Sequence, residues 1–246
     1  MNQQIPFELD SLQYAYNYQK WMTDAIEPEL GNSILEIGAG IGNLSSRLPL
    51  RSKLIFTESD PYLYEMLKTK VKDKFSENTQ VKTFLVDIAT NWTEPLLTEN
   101  IDTVVSFNVL EHIEDDFAAM KQIYHLLKNG GSLNEKKIIT FVPAHQWAFG
   151  EMDKKFKHFR RYNHKRLIEI ANKIDPKIQI EYRYFNLLGL PPWFFFGRIL
   201  RRNKIDKSSI TIFEKICPYI RGIDDFIHSV LRLPFGQSLI FTMKFR

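Results

Sequence analysis

The stretch that most restricts what this chain can fold into is Ser33-Ile-Leu-Glu-Ile-Gly-Ala-Gly-Ile-Gly-Asn-Leu44. Ile34, Leu35 and Ile37 form a short apolar run of strand type. Gly38, Gly40 and Gly42 follow at alternate positions, and the segment over 43–48 reads as a helix. A strand, a tight turn and a helix start in so short a span mark the rim of a ligand site. Glycine adopts φ > 0 without strain and lets a ligand approach the backbone where a Cβ would stand. An ordinary tight turn uses the same glycines, so the rest of the chain decides between the two.

The spacing departs from the dinucleotide fingerprint G-x-G-x-x-G, because the third glycine comes one residue early. Glu36 also stands in the strand end just before Gly38. An acid there repels a pyrophosphate and attracts the ammonium group of an amino acid, which favours S-adenosylmethionine over NAD. Glu58 ends the run Lys53-Leu-Ile-Phe-Thr57, where a carboxylate can accept from both ribose hydroxyls, a feature NAD sites share. Asp87 ends a third strand-like run, Val81–Val86, close to where the adenine of S-adenosylmethionine would lie.

The segments Ile34-Leu-Glu-Ile-Gly-Ala-Gly-Ile-Gly42, Glu58-Ser-Asp-Pro61, Val86-Asp-Ile88, Asn108-Val-Leu-Glu-His112 and Leu127-Lys-Asn-Gly-Gly131 resemble the successive motifs of class I S-adenosylmethionine-dependent methyltransferases. The resemblance spans residues 10–186 and is strongest to the bacterial small-molecule branch that includes the ubiquinone and menaquinone methylases. It implies S-adenosylmethionine as cofactor, S-adenosylhomocysteine as product, and cofactor contacts from Glu36, Gly38, Ala39, Gly40, Gly42, Glu58, Ser59, Asp87, Ile88, Asn108 and Val109. The matched motifs say little about the methyl acceptor.

Alternating strand and helix patterns predict an α/β fold. The expected sheet is Rossmann-like and seven-stranded, parallel with one antiparallel edge strand, flanked by helices. Strands are expected near 33–37, 53–57, 81–86, 101–107, 137–142, 178–185 and 238–245, and helices near 10–27, 43–48, 61–75, 114–128 and 164–173. Residues 1–30 form an N-terminal helical cap, 31–186 with 236–246 the core, and 187–235 a helical, apolar and basic insertion before the last strand. Ser132–Lys137 lengthens the turn before the fifth strand relative to the resembled family.

For the acceptor side, the first helix is dense in tyrosines, and in the resembled family a helix at this place helps close the acceptor pocket. Tyr14 and Tyr18 are therefore candidates, with core packing as the alternative. The long connection after Val142 is the second source. Within it His145, His158, Arg161 and Tyr162 are expected at the pocket wall, where an arginine can grip a carboxylate or phosphate. The run of Asp153, His158 and Arg160-Arg-Tyr162 resembles a recurring signature of the same branch; a solvated basic loop is the competing reading. His112 is the candidate catalytic residue, as a base or a group positioning the acceptor. A structural role, or metal ligation with Glu111, are its alternatives. No Cys cluster and no H-x-x-x-H pair points to a dedicated metal site, and none is expected. A base is needed only for a neutral, protonated acceptor.

The composition is that of a folded protein, 44% hydrophobic and 25% charged with a formal net charge of +4, and carries no nucleic-acid signature. Residues 108–111 lack the Asn/Asp-Pro-Pro-aromatic clamp of base methylation, so a nucleic-acid partner is not expected. A lone cysteine, Cys217, fits a reducing compartment. No signal-like or membrane-spanning run is present, and a cytoplasmic location is expected. Residues 187–246 carry ten Lys and Arg against four Asp and Glu, beside the uncharged run Tyr184–Gly197. That combination suits an apolar lid, a contact between copies, or a membrane-surface contact through 184–204. The function expected is methyl transfer to a small or lipid-like, partly apolar acceptor. A catalytically silent cofactor-binding module and an NAD-dependent oxidoreductase or epimerase are the alternatives.

Overall fold

A computed structural model describes residues 5–76, 78–90, 92–131, 134–202, 207–231 and 233–246. The first four residues of the N-terminal cap, Ser132 and Leu133 of the lengthened turn, and 203–204 of the apolar and basic stretch lie outside the described residues.

The apolar runs pair into one seven-stranded sheet. Its strands are β1 (Ser33–Ile37), β2 (Lys53–Glu58), β3 (Val81–Leu85), β4 (Thr103–Phe107), β5 (Lys136–Pro143), β6 (Gln179–Phe185) and β7 (Ser238–Phe245), in the order β3-β2-β1-β4-β5-β7-β6. The first five are parallel; β7 runs antiparallel to both β5 and β6, so the β6/β7 hairpin forms one end of the sheet. β1 and β4 are buried along their whole length. Continuous apolar runs such as Val104-Val105 fit strands covered on both faces. Their registers, Glu36 beside Phe56 and Val105, and Glu58 beside Leu85, line up the carboxyl ends of β1, β2 and β3 along one rim.

The helices are α1 (Phe7–Leu12), α2 (Tyr16–Ile26), α3 (Pro61–Phe75), α4 (Asp116–Asn129), α5 (Glu151–Lys155), α6 (His164–Ile174), α7 (Leu190–Trp193) and α8 (Lys207–Val230). Asp60 caps α3 by accepting from the Tyr62 and Leu63 amides, with Pro61 at the first helical position. Asp115 and Asn163 cap α4 and α6 in the same way.

Two expected helices take a different form. The segment 43–48 is a turn followed by the 3₁₀ turn Ser45–Arg47, so no helix N-terminus points at the glycine turn. The segment 10–27 breaks at Ala15 (φ −97°, ψ 60°) into α1 and α2. The break lets α1 fold back over the glycine turn, where Asn43 Nδ2 donates to the Leu9 carbonyl at 2.9 Å.

The insertion is integrated with the N-terminal helices. α8 packs on α2 and β6. The Glu214 carboxylate of α8 accepts from the amides of Asn17 and Tyr18 at 2.7 and 3.0 Å, satisfying first-turn N–H groups of α2 that have no intrahelical partner. Arg221 pairs with Asp24 at 2.6 Å. α7 continues into a π-helical turn, Phe194–Ile199, which lies against α5.

Candidate active site

The glycine turn is formed as its sequence requires. Gly38, Gly40 and Gly42 all have positive φ, at 66°, 59° and 78°. A Cβ on Gly38 would stand 2.7 Å from Val109 Cγ2, and one on Gly40 would stand 3.0 Å from Leu9 of α1. Val109, the residue after Asn108, and Leu9 of α1 thus stand where a Cβ on Gly38 or Gly40 would point, so only glycine fits these two positions.

Glu36 is buried, and its Oε2 has no hydrogen-bond partner. Burial, and then the neighbouring Glu58 carboxylate, push Glu36 up to about 7. A buried acid in this condition is costly unless a cation satisfies it, and an amino-acid ammonium group would do so. Glu58 is engaged differently. Its Oε2 accepts from the Gly40 amide at 2.8 Å, and its Oε1 accepts from the Ser59 and Asp60 amides at 2.8 and 2.9 Å. A carboxylate has about four acceptor positions, so Glu58 both braces the turn and retains room for a further donor. Asp87 is exposed at the end of β3 and accepts from the Ala89 amide, while Ile88 is half-buried against the core. The unsatisfied acid, the bare turn and the acids on three neighbouring strand ends fit the amino, ribose and base portions of S-adenosylmethionine.

A cavity of about 400 Å³ opens beside this rim. Asn108, Glu111, His158 and Arg161 line one part of it. Phe7 and Leu12 of α1, Tyr18 of α2, Met152 and Phe156, Trp193 and Phe196, and Phe213, Ile216 and Ile220 of α8 supply its apolar walls. Asn186, Gln237 and Ser238 add a second polar group, beside which burial raises the Tyr18 hydroxyl to about 12.

The long connection after β5 folds back on the strand end. The His145 amide donates to the Tyr162 carbonyl and the Tyr162 amide to the Pro143 carbonyl, at 2.7 and 2.8 Å. Asp153 is the hub of this loop and is fully buried. Its Oδ1 accepts from Arg161 Nε at 2.7 Å and lies 3.0 Å from His158 Nδ1, and its Oδ2 accepts from the Gly150 amide at 2.9 Å. Despite burial, its hydrogen bond with His158 and the Arg161 charge hold the Asp153 carboxyl below its ordinary range. The Arg161 guanidinium sits 4.8 Å from the centre of the Trp193 ring, a cation–π arrangement on the cavity wall.

The acceptor-side candidates therefore separate. Tyr18, His158 and Arg161 face the cavity. Tyr14 is exposed and does not line it. Tyr162 is fully buried, donating to the Leu110 carbonyl at 3.1 Å and to Asp116 at 3.0 Å, so its hydroxyl ties the end of β4 to α4. His145 is buried with its ring stacked on Tyr184 at 5.0 Å, and that burial pushes it down to about 4. Neither lines the cavity. His112 also stays off the cavity wall, but its ring meets His158 edge-on with centres 4.7 Å apart. Burial of the ring, followed by the neighbouring His158 ring, pushes His112 down to about 4, although the residue as a whole reaches solvent. Sequence reasoning gave Asn186, Phe156 and Gln237 no role at the site. No local pattern marks them; only the closure of α5 and the insertion over the sheet brings them to it.

Residues 35–133 match the family model described as "Methyltransferase domain". No curated protein matches the chain by sequence. Among solved structures the chain is similar to an S-adenosylmethionine-dependent methyltransferase from Archaeoglobus fulgidus (TM-score 0.52, 16% identity, covering 92% of this chain and 94% of that one). It is also similar to a possible histamine N-methyltransferase from Thermotoga maritima (TM-score 0.58, 11% identity, 96% and 92%). A third likeness is to the plantazolicin methyltransferase BamL, solved with S-adenosylhomocysteine (TM-score 0.53, 10% identity, 95% and 84%). The chain thus carries a matched methyltransferase domain over residues 35–133, and its fold is that of S-adenosylmethionine-dependent methyltransferases. S-adenosylmethionine is the cofactor that goes with that assignment.

Proposed function

We propose that the chain is an S-adenosylmethionine-dependent methyltransferase acting on an acceptor with a substantial apolar portion, bound in the aromatic cavity with its reacting atom at the end lined by Asn108, Glu111, His158 and Arg161. The observation that carries this reading is the cavity itself, polar beside the strand ends and walled elsewhere by side chains of α1, α2, α5, α7 and α8. Glu36 would hold the ammonium of the cofactor. Glu58 and Ser59 would hold its ribose, Asp87 and Ile88 would border its base, and Gly38, Ala39, Gly40, Gly42, Asn108 and Val109 would form the floor and wall.

Bound there, the sulfonium supplies an already electrophilic methyl group. What remains for the chain is to orient the acceptor and exclude water, effects worth several kcal/mol of barrier lowering. The insertion over 187–235 would serve as the lid, Trp193, Phe196 and Phe213 from it lining the cavity. Arg161 has its charge balanced by Asp153, so it presents a fixed, neutralised donor surface and does not itself require an anionic acceptor.

A lipid-like acceptor reached from a membrane surface is the form of this reading with a specific observation in its favour. Ile212, Tyr219, Ile223 and Val230 of α8 lie along one exposed stripe, and Phe195, Ile199 and Leu200 are also exposed, next in the chain to Arg198, Arg201 and Arg202. No helix among the described residues is long and apolar enough to cross a membrane, so contact would be at the surface, on the cytoplasmic side. An oxidoreductase or epimerase using NAD and a catalytically silent binding module are not favoured. The first conflicts with the matched domain, and the second leaves the lined cavity without a purpose.

The test is transfer of label from methyl-labelled S-adenosylmethionine into lipid, quinone and glycan extracts. Label entering an organic-phase product, and lost on substituting Trp193→Ala, is expected. Label confined to small, fully water-soluble products would contradict the apolar acceptor.

A further inference from the structure

We propose that Glu111, His112 and His158 form a binding site for one divalent first-row transition-metal ion, with zinc the best fit, at the polar end of the acceptor cavity. One ligand atom from each of these residues lies within 4.8 Å of the others. Two tertiary features bring them together. Glu111 and His112 sit in the 3₁₀ turn directly after β4, and His158 follows α5 after Lys157 turns the chain at φ 61°. The Phe159 amide donates to the Glu111 carbonyl at 2.7 Å, which locks the two segments side by side.

His158 carries the independent observation. Its side chain is 4% exposed, its Nδ1 is 3.0 Å from Asp153, and its Nε2 is buried with no partner. A histidine with one ring nitrogen held by a carboxylate and the other buried without a partner, standing beside a second histidine and a buried acid, has the arrangement of a metal ligand with its orienting outer partner. Asp153 fixes the tautomer, putting the proton on Nδ1 and the lone pair on Nε2. Glu111 is fully buried at the cavity wall and supplies the negative charge that two neutral imidazoles lack.

The donor set selects the ion. Two imidazoles and one carboxylate suit zinc, iron or cobalt better than magnesium or calcium, which prefer oxygen ligands alone. With bonds of roughly 2 Å, tetrahedral donors stand about 3.3 Å apart, so a spread of at most 4.8 Å closes by side-chain rotation. Three protein ligands leave a position open, as in catalytic rather than structural zinc sites. Glu111 and His158 both border the cavity, so that position faces the acceptor. An ion there would bind and polarise an oxygen of the acceptor, pointing to a hydroxyl- or carbonyl-bearing compound. This role rests on the methyltransferase reading; the binding of the ion does not.

The experiment uses the full chain dialysed against EDTA, titrated with ZnCl₂ by calorimetry and with CoCl₂ by visible absorption. One equivalent of zinc is expected, together with a cobalt spectrum of a four- or five-coordinate site. His112→Ala, at a solvent-reaching position, should keep the fold by circular dichroism and weaken zinc binding by more than the roughly 10- to 100-fold typical of losing an outer-sphere partner. His125→Ala, at an exposed histidine on α4, should leave zinc binding unchanged. Absence of zinc and cobalt binding in the wild type, or binding insensitive to His112→Ala, would overturn the site. Binding of S-adenosylhomocysteine measured on the same samples reports separately on the cofactor assignment.

Discussion

Glu36 concentrates the electrostatics of the cofactor side into one group. Without a ligand its carboxyl sits at about 7 where an ordinary glutamate is near 4.5. Between those values the folded chain keeps a proton that the unfolded chain has lost, so this residue's contribution to stability falls as pH rises from about 4.5 to about 7 and is constant outside that window. Its size is on the order of 3 kcal/mol. An arriving ammonium reverses the preference, because it favours the ionised acid. Affinity for S-adenosylhomocysteine is therefore expected to fall as pH drops from 8 to 6, by up to about tenfold per unit below 7. Glu36→Gln should bind more weakly at pH 8 and lose that slope; calorimetric titration at three pH values checks both. Glu36 was legible in the sequence because covalent spacing ties it to Gly38. The engagement of Glu58 by the Gly40, Ser59 and Asp60 amides was not, since it depends on how the turn closes. Tyr162 and His145 share a loop and residue chemistry with His158 and Arg161. Only their burial by Asp116 and Tyr184 separates packing from the cavity wall.

At the scale of elements, the strands were legible nearly to the residue, most plainly β1 and β4, which are covered on both faces and read as short apolar runs. The helices at the site were less so. The 43–48 segment satisfies its backbone through a 3₁₀ turn rather than an α-helix, and α1 separates from α2 to lie over the glycines, both outcomes set by tertiary contacts. α8 shows the opposite balance. Cys217, Asp224 and His228 face inward and are buried, while Ile212, Tyr219 and Ile223 point out. A stripe of this kind on a basic segment is suited to an anionic lipid surface. Flotation with vesicles containing phosphatidylserine should carry the wild type upward. Ile212→Asp combined with Ile223→Asp should leave it at the bottom with little change in melting temperature, since both side chains are exposed and neither lines the cavity. Equal flotation of both proteins would remove the membrane surface from the proposed function.

For the whole molecule, the division of labour follows the sheet. In the proposed function the carboxyl ends of β1 to β3 present acids and backbone to the cofactor, and the carboxyl ends of β4 and β5 with the amino end of β7 border the acceptor cavity. The N-terminal helices and the insertion, clamped together through Glu214 and Arg221, supply side chains to the wall of that cavity. The order of motifs made the first half of this arrangement readable, whereas the roof is assembled from segments about two hundred residues apart and has no signature of its own. The most direct test is thermal unfolding of the full chain with S-adenosylmethionine, S-adenosylhomocysteine and NAD, each in large excess. A ligand at about a hundred times its dissociation constant stabilises the native state by roughly 2.7 kcal/mol. A rise in melting temperature of several degrees with both S-adenosyl compounds, none with NAD, and a smaller rise for Glu36→Gln are expected. Stabilisation by NAD alone, or by none of the three, would contradict the assignment of this rim to a methyl donor.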